Sequence, residues 1–273
     1  MFYMKKYLGR WIVCSLIVFQ LACREYGNFT QEEKGVQVEV PKEKKVGKAN
    51  DFFPTSTTNQ IIHHNYYTLS YHEEHEQAEW VAYQLQPNSS STSDFKRPYF
   101  VEDPKVQTAS ADWRNYRNSG YDKGHLCPAG DMKFSKQAYD DTFYTSNISP
   151  QKPDFNAGVW NRLEQKVRYW ADKYDGLFVV TGGVLEPNLK TIGKEEVSVP
   201  NAFYKVLLRN AGDKLRAIAF LVPHENSEQP LYSFVVSIDE LEKRTGIDFF
   251  HQLPDDVEKK IEESKDYKEW SFK

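Results

Sequence analysis

Apolar and polar positions divide the 273-residue chain into an amino-terminal stretch of low aliphatic content and, from about Ile61 onward, short segments with clear periodicity. Tyr66 to Tyr71 is aromatic and β-favouring, and Trp80 to Leu85 alternates as its hairpin partner would. Leu177 to Thr181, Phe203 to Leu208 and Ala217 to Val222 are short apolar runs bounded by Gly, Pro, Asn or Asp, the pattern of buried strands. Gly182-Gly183 marks a sharp turn after the first of them. Helical spacing is clearest where Trp160, Leu163, Val167 and Trp170 recur at intervals of three, four and three, which predicts a core-packed helix from about Ala157 to Tyr174. Ser237-Ile238-Asp239-Glu240 has the form of a capping box, opening a helix that stops near Gly246. The charge-rich stretch from Val257 to Lys273 reads as either a helix or a frayed tail. Together these elements predict an α+β domain over residues 59–273, with a mainly antiparallel central sheet and a helical carboxy terminus.

The first 58 residues lack such periodicity. Lys5, Lys6 and Arg10 precede a 12-residue stretch, Trp11 to Ala22, in which only Ser15 and Gln20 are polar. That is too short to span a bilayer and has the form of an export signal. It ends in Gln20-Leu21-Ala22-Cys23, which resembles a bacterial lipoprotein signal: residues 1–22 are removed and Cys23 is lipidated as the first mature residue. Gln20 departs from the aliphatic residue usual at that position. Residues 23–58 carry Glu32-Glu33-Lys34 and a basic run from Lys42 to Lys48, and read as a flexible tether. The expected location is the cell envelope, anchored to a membrane through Cys23, on the periplasmic or outer surface.

With 40% hydrophobic, 15% aromatic and 27% charged residues, the chain can bury a core, so wholesale disorder is excluded. The net charge of −4 becomes −7 once the three basic residues of the signal are gone, so any nucleic-acid binding must rest on a local patch. Such a patch lies between Trp113 and Lys136, where Arg114, Arg117, Lys123, Lys133 and Lys136 outnumber Asp122 and Asp131. Arg114 and Arg117 are candidates for substrate contact. Three cysteines exclude a disulfide scaffold, and Cys127, left without an internal partner, reads as a packed thiol. His63, His64, His72 and His75 invite a zinc reading, but the spacing is not that of a zinc-binding helix.

The candidate chemistry lies between Trp113 and Trp170. In Tyr121-Asp122-Lys123-Gly124-His125, an imidazole that titrates near neutrality can take a proton from water. Lys123 shares its side of an extended strand, and alternation puts Asp122 on the other. Phe143 to Gln151 reads as a strand entering a turn. Phe155-Asn156-Ala157-Gly158-Val159-Trp160 opens the helix that carries Glu164 and Arg168. In this order the segments resemble the non-specific DNA/RNA endonuclease family, whose active site is the ββα-metal finger. The family motif is Asp-Arg-Gly-His, then an Asn before Pro-Gln, then Phe-Asn-x-Gly-x-Trp with Glu eight and Arg twelve residues after that second Asn. Asn156, Glu164 and Arg168 keep that register.

The resemblance implies that His125 is the general base, that Asn156 is the direct protein ligand of a hydrated Mg²⁺, and that Glu164 reaches the ion through water. It implies that Asn147 positions the base and that Arg168 neutralises phosphate charge in the transition state. Mn²⁺ is expected to substitute. Lys123 stands where the family more often has Arg and keeps the charge without the bidentate geometry. The implied activity is Mg²⁺-dependent hydrolysis of DNA and RNA to 5′-phosphate and 3′-hydroxyl ends, the substrates being held by their backbones. Eight helical residues rise about 12 Å, so in a straight helix Asn156 and Glu164 cannot grip one bare ion, which suits a water-rich one. The alternative is a catalytically silent, nucleic-acid-binding surface lipoprotein on the same fold.

Overall fold

Side-chain alternation decides the architecture. The structure, a computed structural model, describes residues 52–89, 94–211 and 214–272, all within one compact unit. The export signal, Cys23 and the tether as far as residue 51 lie outside the described residues. Strands β1 (Ile61–His63), β2 (Tyr67–His72) and β3 (Gln77–Leu85) open the fold. A small hairpin follows, β4 (Asp122–His125) with β5 (Ile148–Gln151), and between its strands sits the short helix α1 (Lys136–Asp141). One turn, α2 (Pro153–Phe155), a wide π-type turn over Asn156–Trp160 and α3 (Asn161–Lys173) then make the finger helix. Strands β6 (Leu177–Gly183), β7 (Thr191–Ile192), β8 (Val197–Ser198), β9 (Ala202–Ala211), β10 (Lys214–Pro223) and β11 (Val235–Val236) precede α4 (Ile238–Thr245) and α5 (Asp255–Glu262).

Seven of the strands form one sheet in the order β1-β2-β3-β6-β9-β10-β11, antiparallel at every pairing. Period-two alternation sends Val81, Tyr83, Val179, Phe203 and Leu207 to one face, where the stripe Trp160, Leu163, Val167 and Trp170 covers them. The intervening residues Trp80, Ala82, Phe178, Val180, Tyr204 and Val206 face the other way, onto Ile238 and Leu241 of α4, Phe249, Phe250, and Ile261 of α5. The sheet is therefore a middle layer, with the finger helix on one side and the carboxy-terminal helices on the other. A third apolar cluster, including Phe100, Tyr116, Phe143, Ile148 and Val197, supports the small hairpin.

Helix α4 begins as the capping box predicts, with the Ser237 side chain accepting from Glu240 N, and stops at Gly246 in the left-handed region (φ 72°). Other expectations are corrected. Gly182 and Gly183 continue β6 instead of turning; a Cβ on Gly182 would stand 2.2 Å from Glu79 O, so the glycine serves a close approach of strands. The turn in Phe143 to Gln151 precedes the strand, as a 3-10 turn over Thr145–Asn147 leads into β5. Packing begins before residue 59: Phe52 is buried, Thr57 N donates to Glu79 Oε1 (2.9 Å) and Trp80 Nε1 donates to Thr55 O (2.9 Å), so residues 52–58 belong to the domain. The carboxy-terminal stretch is both helix and anchored tail. Beyond α5, Trp270 is buried edge-on against Trp170 (5.1 Å), and Ser271 O accepts from Trp170 Nε1 (3.0 Å).

Candidate active site

The hairpin β4–β5 sets the face of each candidate. Lys123 and His125 project together, as alternation predicts, and both reach Phe100: the His125 ring at 5.4 Å and Lys123 Nζ at 5.6 Å. Trp113 and Tyr116 complete an aromatic surround for the Lys123 ammonium, each at 5.9 Å. The His125 ring also stands edge-on to Phe143 (4.9 Å). Its Nε2 is buried without a hydrogen-bond partner while the residue is part exposed, which leaves Nδ1 as the nitrogen open to solvent. Burial first, and then the Arg97 guanidinium, push this imidazole down to about 3, so it is neutral and able to accept a proton at physiological pH. Arg97 lies over Phe100 (5.7 Å) and Phe143 (5.5 Å), the two rings that flank the histidine.

Asp122 points the other way and meets the finger. Its Oδ2 accepts from Asn156 Nδ2 at 3.0 Å. With the amide nitrogen engaged, Asn156 offers Oδ1, a hard oxygen donor of the kind Mg²⁺ and Mn²⁺ take. The finger is not straight here. Gly158 has φ −95° and ψ −112°, and a Cβ on it would stand 2.1 Å from Asn226 Oδ1, which accepts from Val159 N (3.1 Å). The separation expected from a straight helix therefore does not apply to Asn156 and Glu164.

Three turns down the finger, Arg168 Nη1 donates to Asp131 Oδ1 (2.7 Å) and lies 4.0 Å from Glu164. Tyr83 donates to the other oxygen of Asp131 (2.8 Å). Burial pushes Glu164 up to about 7, with Asp131 adding to the rise and Lys205 and Arg168 opposing it. Lys205 is fully buried with no hydrogen bond to its ammonium, which sits 4.9 Å from the Trp160 ring; burial lowers its proton affinity and Glu164 counters that.

Asn147 is fully buried. Its Oδ1 accepts from Cys127 N (2.8 Å), and its Nδ2 donates to Cys127 O (3.0 Å) and Thr142 O (2.9 Å). With its amide committed to backbone, Asn147 fixes the chain just past His125. Cys127 contributes only its backbone to this clamp, and burial pushes its thiol up, in keeping with a packed thiol.

The candidates therefore fall into three groups: Lys123 and His125 on the shared Phe100 ring, Asp122 with Asn156, and Glu164 with Arg168, Asp131 and Lys205. No hydrogen bond joins His125, Asn156 and Glu164 to one another. One segment joins the groups. From Asp122, pinned to Asn156, to Asp131, pinned to Arg168, the chain runs beside the finger with His125 between the two pins. Arg97, Asp131 and Lys205 were missed as site residues from sequence. Lys205 alone left a signal, a lysine inside a run of strand residues that are otherwise apolar.

The histidine cluster does not hold together as a metal site. His64 is committed to Asp103 (2.8 Å), His63 to Thr68 and His75 to Ser198, and among the described residues no metal-capable group of three includes a histidine. The basic patch is also smaller than its sequence count: Arg114 pairs with Asp112, and Lys136 with Asp140. Arg117 remains exposed and, with Lys190 and Lys194, lines a cleft of about 570 Å³.

The sequence profile of the DNA/RNA non-specific endonuclease family matches residues 49–256. Nuclease EXOG, mitochondrial, of Danio rerio is 38% identical over 208 residues, 68% of this chain and 60% of that protein. Endonuclease G, mitochondrial, of Homo sapiens is 35% identical over 198 residues, 67% of each chain. The chain thus spans about three-fifths of the length of its EXOG relatives. A solved structure described as the EndoG/EndoGI complex superposes with a TM-score of 0.70 at 29% identity, covering 77% of this chain and 92% of that one.

Proposed function

Because the chain belongs to the DNA/RNA non-specific endonuclease family, we propose that it is a Mg²⁺-dependent endonuclease that hydrolyses the phosphodiester backbone of DNA and RNA. The observation that carries this reading is the segment from Asp122 to Asp131, pinned at both ends to the finger helix with a neutral, half-exposed His125 between the pins.

His125 takes a proton at Nδ1 from a water molecule, whose oxygen attacks phosphorus as the bond to the 3′ oxygen breaks, and the departing 3′ oxygen takes a proton from solvent. The products carry a 5′-phosphate and a 3′-hydroxyl. Asn156 through Oδ1, and Glu164 through water, would hold a Mg²⁺ or Mn²⁺ ion, which supplies Lewis-acid polarisation of the phosphate and neutralises charge on the leaving oxygen. Asp122 keeps the Asn156 amide turned to offer oxygen. Lys205 and Arg168 favour the ionised form of Glu164, which burial alone would leave protonated. Arg168 keeps part of its donor fork beyond the Asp131 bond, enough to meet a phosphate oxygen. Lys123, Arg97 and Arg117 attract the backbone, so binding is sequence-tolerant and weakens with salt. Export and lipid anchoring at Cys23 belong to the same proposal; fatty-acid labelling that disappears in Cys23→Ser is their test.

The direct experiment is degradation of plasmid and RNA by residues 24–273 with and without EDTA, beside His125→Ala. Cleavage that survives thorough chelation removes the metal role. A folded His125→Ala protein that cuts at the wild-type rate removes the base. Saturable oligonucleotide binding without turnover identifies a silent binding protein instead.

A further inference from the structure

The face of the sheet opposite the finger carries carboxylates that this chemistry does not use. Asp239 and Glu242 come from α4, Asp248 from the loop behind it, and Glu258 and Glu262 from α5. Oxygens of Asp239, Glu242 and Glu262 lie within 4.8 Å of one another, and so do those of Asp248, Glu258 and Glu262. Glu262 belongs to both triads and is the buried member, 7% exposed, with an Oε1 shielded from solvent that has no hydrogen-bond partner. Such an oxygen is costly unless a proton or a cation meets it.

Among the described residues no basic side chain is paired with any of these five carboxylates. Besides burial, the charges that act on Glu262 are Glu242, Glu258, Asp248 and Asp239, all negative, and together they push it up to about 8. Three basic side chains on or near the two helices pair elsewhere: Lys259 with Glu263 (3.7 Å), Lys265 with Glu240 (2.6 Å) and Arg244 with Glu186 (3.4 Å). His251 acts on Glu258 from the other side of the cluster, opposing its rise. A donor set made of several carboxylates, with no nitrogen or sulfur, suits calcium, which takes about 6–8 oxygens in a flexible shell, better than magnesium, which keeps several waters and is held by one or two carboxylates.

We propose that Glu262 and the four carboxylates around it form a structural site for one divalent cation of calcium size, which clamps α5 onto α4. The ion takes no part in bond cleavage.

The test uses the full chain carrying Asn156→Ala, so that the finger lacks its direct ligand. Calorimetric titration should show one Ca²⁺ bound per chain. At calcium one hundredfold above the dissociation constant, the melting temperature should rise by about 5–10 °C. Added to that background, Glu262→Gln should weaken calcium binding at least 100-fold and abolish the shift. Glu258→Gln, at a less buried position, should weaken it about tenfold and keeps the test decisive if the first variant does not fold. Plasmid cleavage by Glu262→Gln in the otherwise wild-type chain should stay within twofold. Absence of calcium binding, or binding unchanged in both glutamine variants, overturns the site. Magnesium binding as tight as calcium overturns the assignment of ion size.

Discussion

Replacing Asp122 by alanine isolates one link between the hairpin and the finger. Asp122 Oδ2 accepts from Asn156 Nδ2 at 3.0 Å, and both residues are half-buried. A hydrogen bond to a charged group contributes about 1.5–3 kcal/mol, and partial exposure puts this one near the lower end, about 1.5–2 kcal/mol. If its worth lies in keeping the amide oxygen turned toward the ion, the ion's apparent affinity falls by about 10- to 30-fold, since each tenfold corresponds to about 1.4 kcal/mol. That lies within the range found when outer partners of metal ligands are removed. The assay is the initial rate of plasmid cleavage against Mg²⁺ concentration. Half-saturation should rise by that factor while the plateau falls only a few-fold, and Asp122→Asn, which keeps an acceptor without the charge, should lie between. An unmoved half-saturation with a collapsed plateau would mean that Asp122 serves the chemistry and not Asn156, and an unchanged curve would mean that the bond does nothing.

Asn147→Ala strips three partners from buried backbone groups of Cys127 and Thr142; denaturant unfolding should show a loss of at least about 3 kcal/mol, and a loss below about 1 kcal/mol would refute the clamp. Gly158→Ala drives a Cβ toward Asn226 Oδ1. Cleavage should drop sharply and recover in part with Asn226→Ala, so a double-mutant cycle with no coupling would show that the kink is not held by that contact. Trp270→Ala empties the space beside Trp170 and should cost about 3–5 kcal/mol by calorimetry; an unchanged melting temperature would mean that the carboxy-terminal tail is not part of the core.

The layers of the fold were legible because one periodicity generates them. Alternation in Trp80 to Leu85 and Phe203 to Leu208 sorts side chains to two faces, and the stripe Trp160 to Trp170 can pack on only one of them. Glycines were less legible. A Gly-Gly pair reads as a turn locally, yet what demands Gly182 is Glu79 O, a neighbour more than 100 residues away in the chain. The site shows the same division. Asn156, Glu164 and Arg168 share one helix, so their spacing carries information. Asp131 matters only because β4 and the turn behind it lie along that helix, and Arg97 only because it stacks on the rings that enclose His125; no local pattern marks either. The domain starts earlier than the periodicity indicates because residues 52–58 pack through single contacts, Phe52, Thr55 and Thr57, without any period to announce them.

With His125 as the proposed base, charge placement ties substrate attraction to the state of its ring. With Arg114 and Lys136 neutralised by their own neighbours, the positive field near the hairpin rests on Arg97, Lys123 and Arg117. Arg97 also depresses His125, second to burial. The unfolded ring takes up a proton near pH 6.5, whereas the folded ring resists down to about 3. Between those values the unfolded state binds more protons, and this group's contribution to stability falls as pH drops below 6.5. A phosphate seated beside Arg97 offsets the guanidinium and raises the proton affinity of the imidazole at the stage when it must accept one. The acid limb of kcat, which reports the complex, should therefore lie at higher pH than that of kcat/KM, which reports the free enzyme, with both below the ordinary histidine value. Arg97→Gln should bring the two limbs together and raise the ring's midpoint in an NMR titration of the free protein. Coincident limbs in the wild-type enzyme, or a ring that titrates near pH 6.5, would break the link between the field that gathers phosphate and the neutrality of the base.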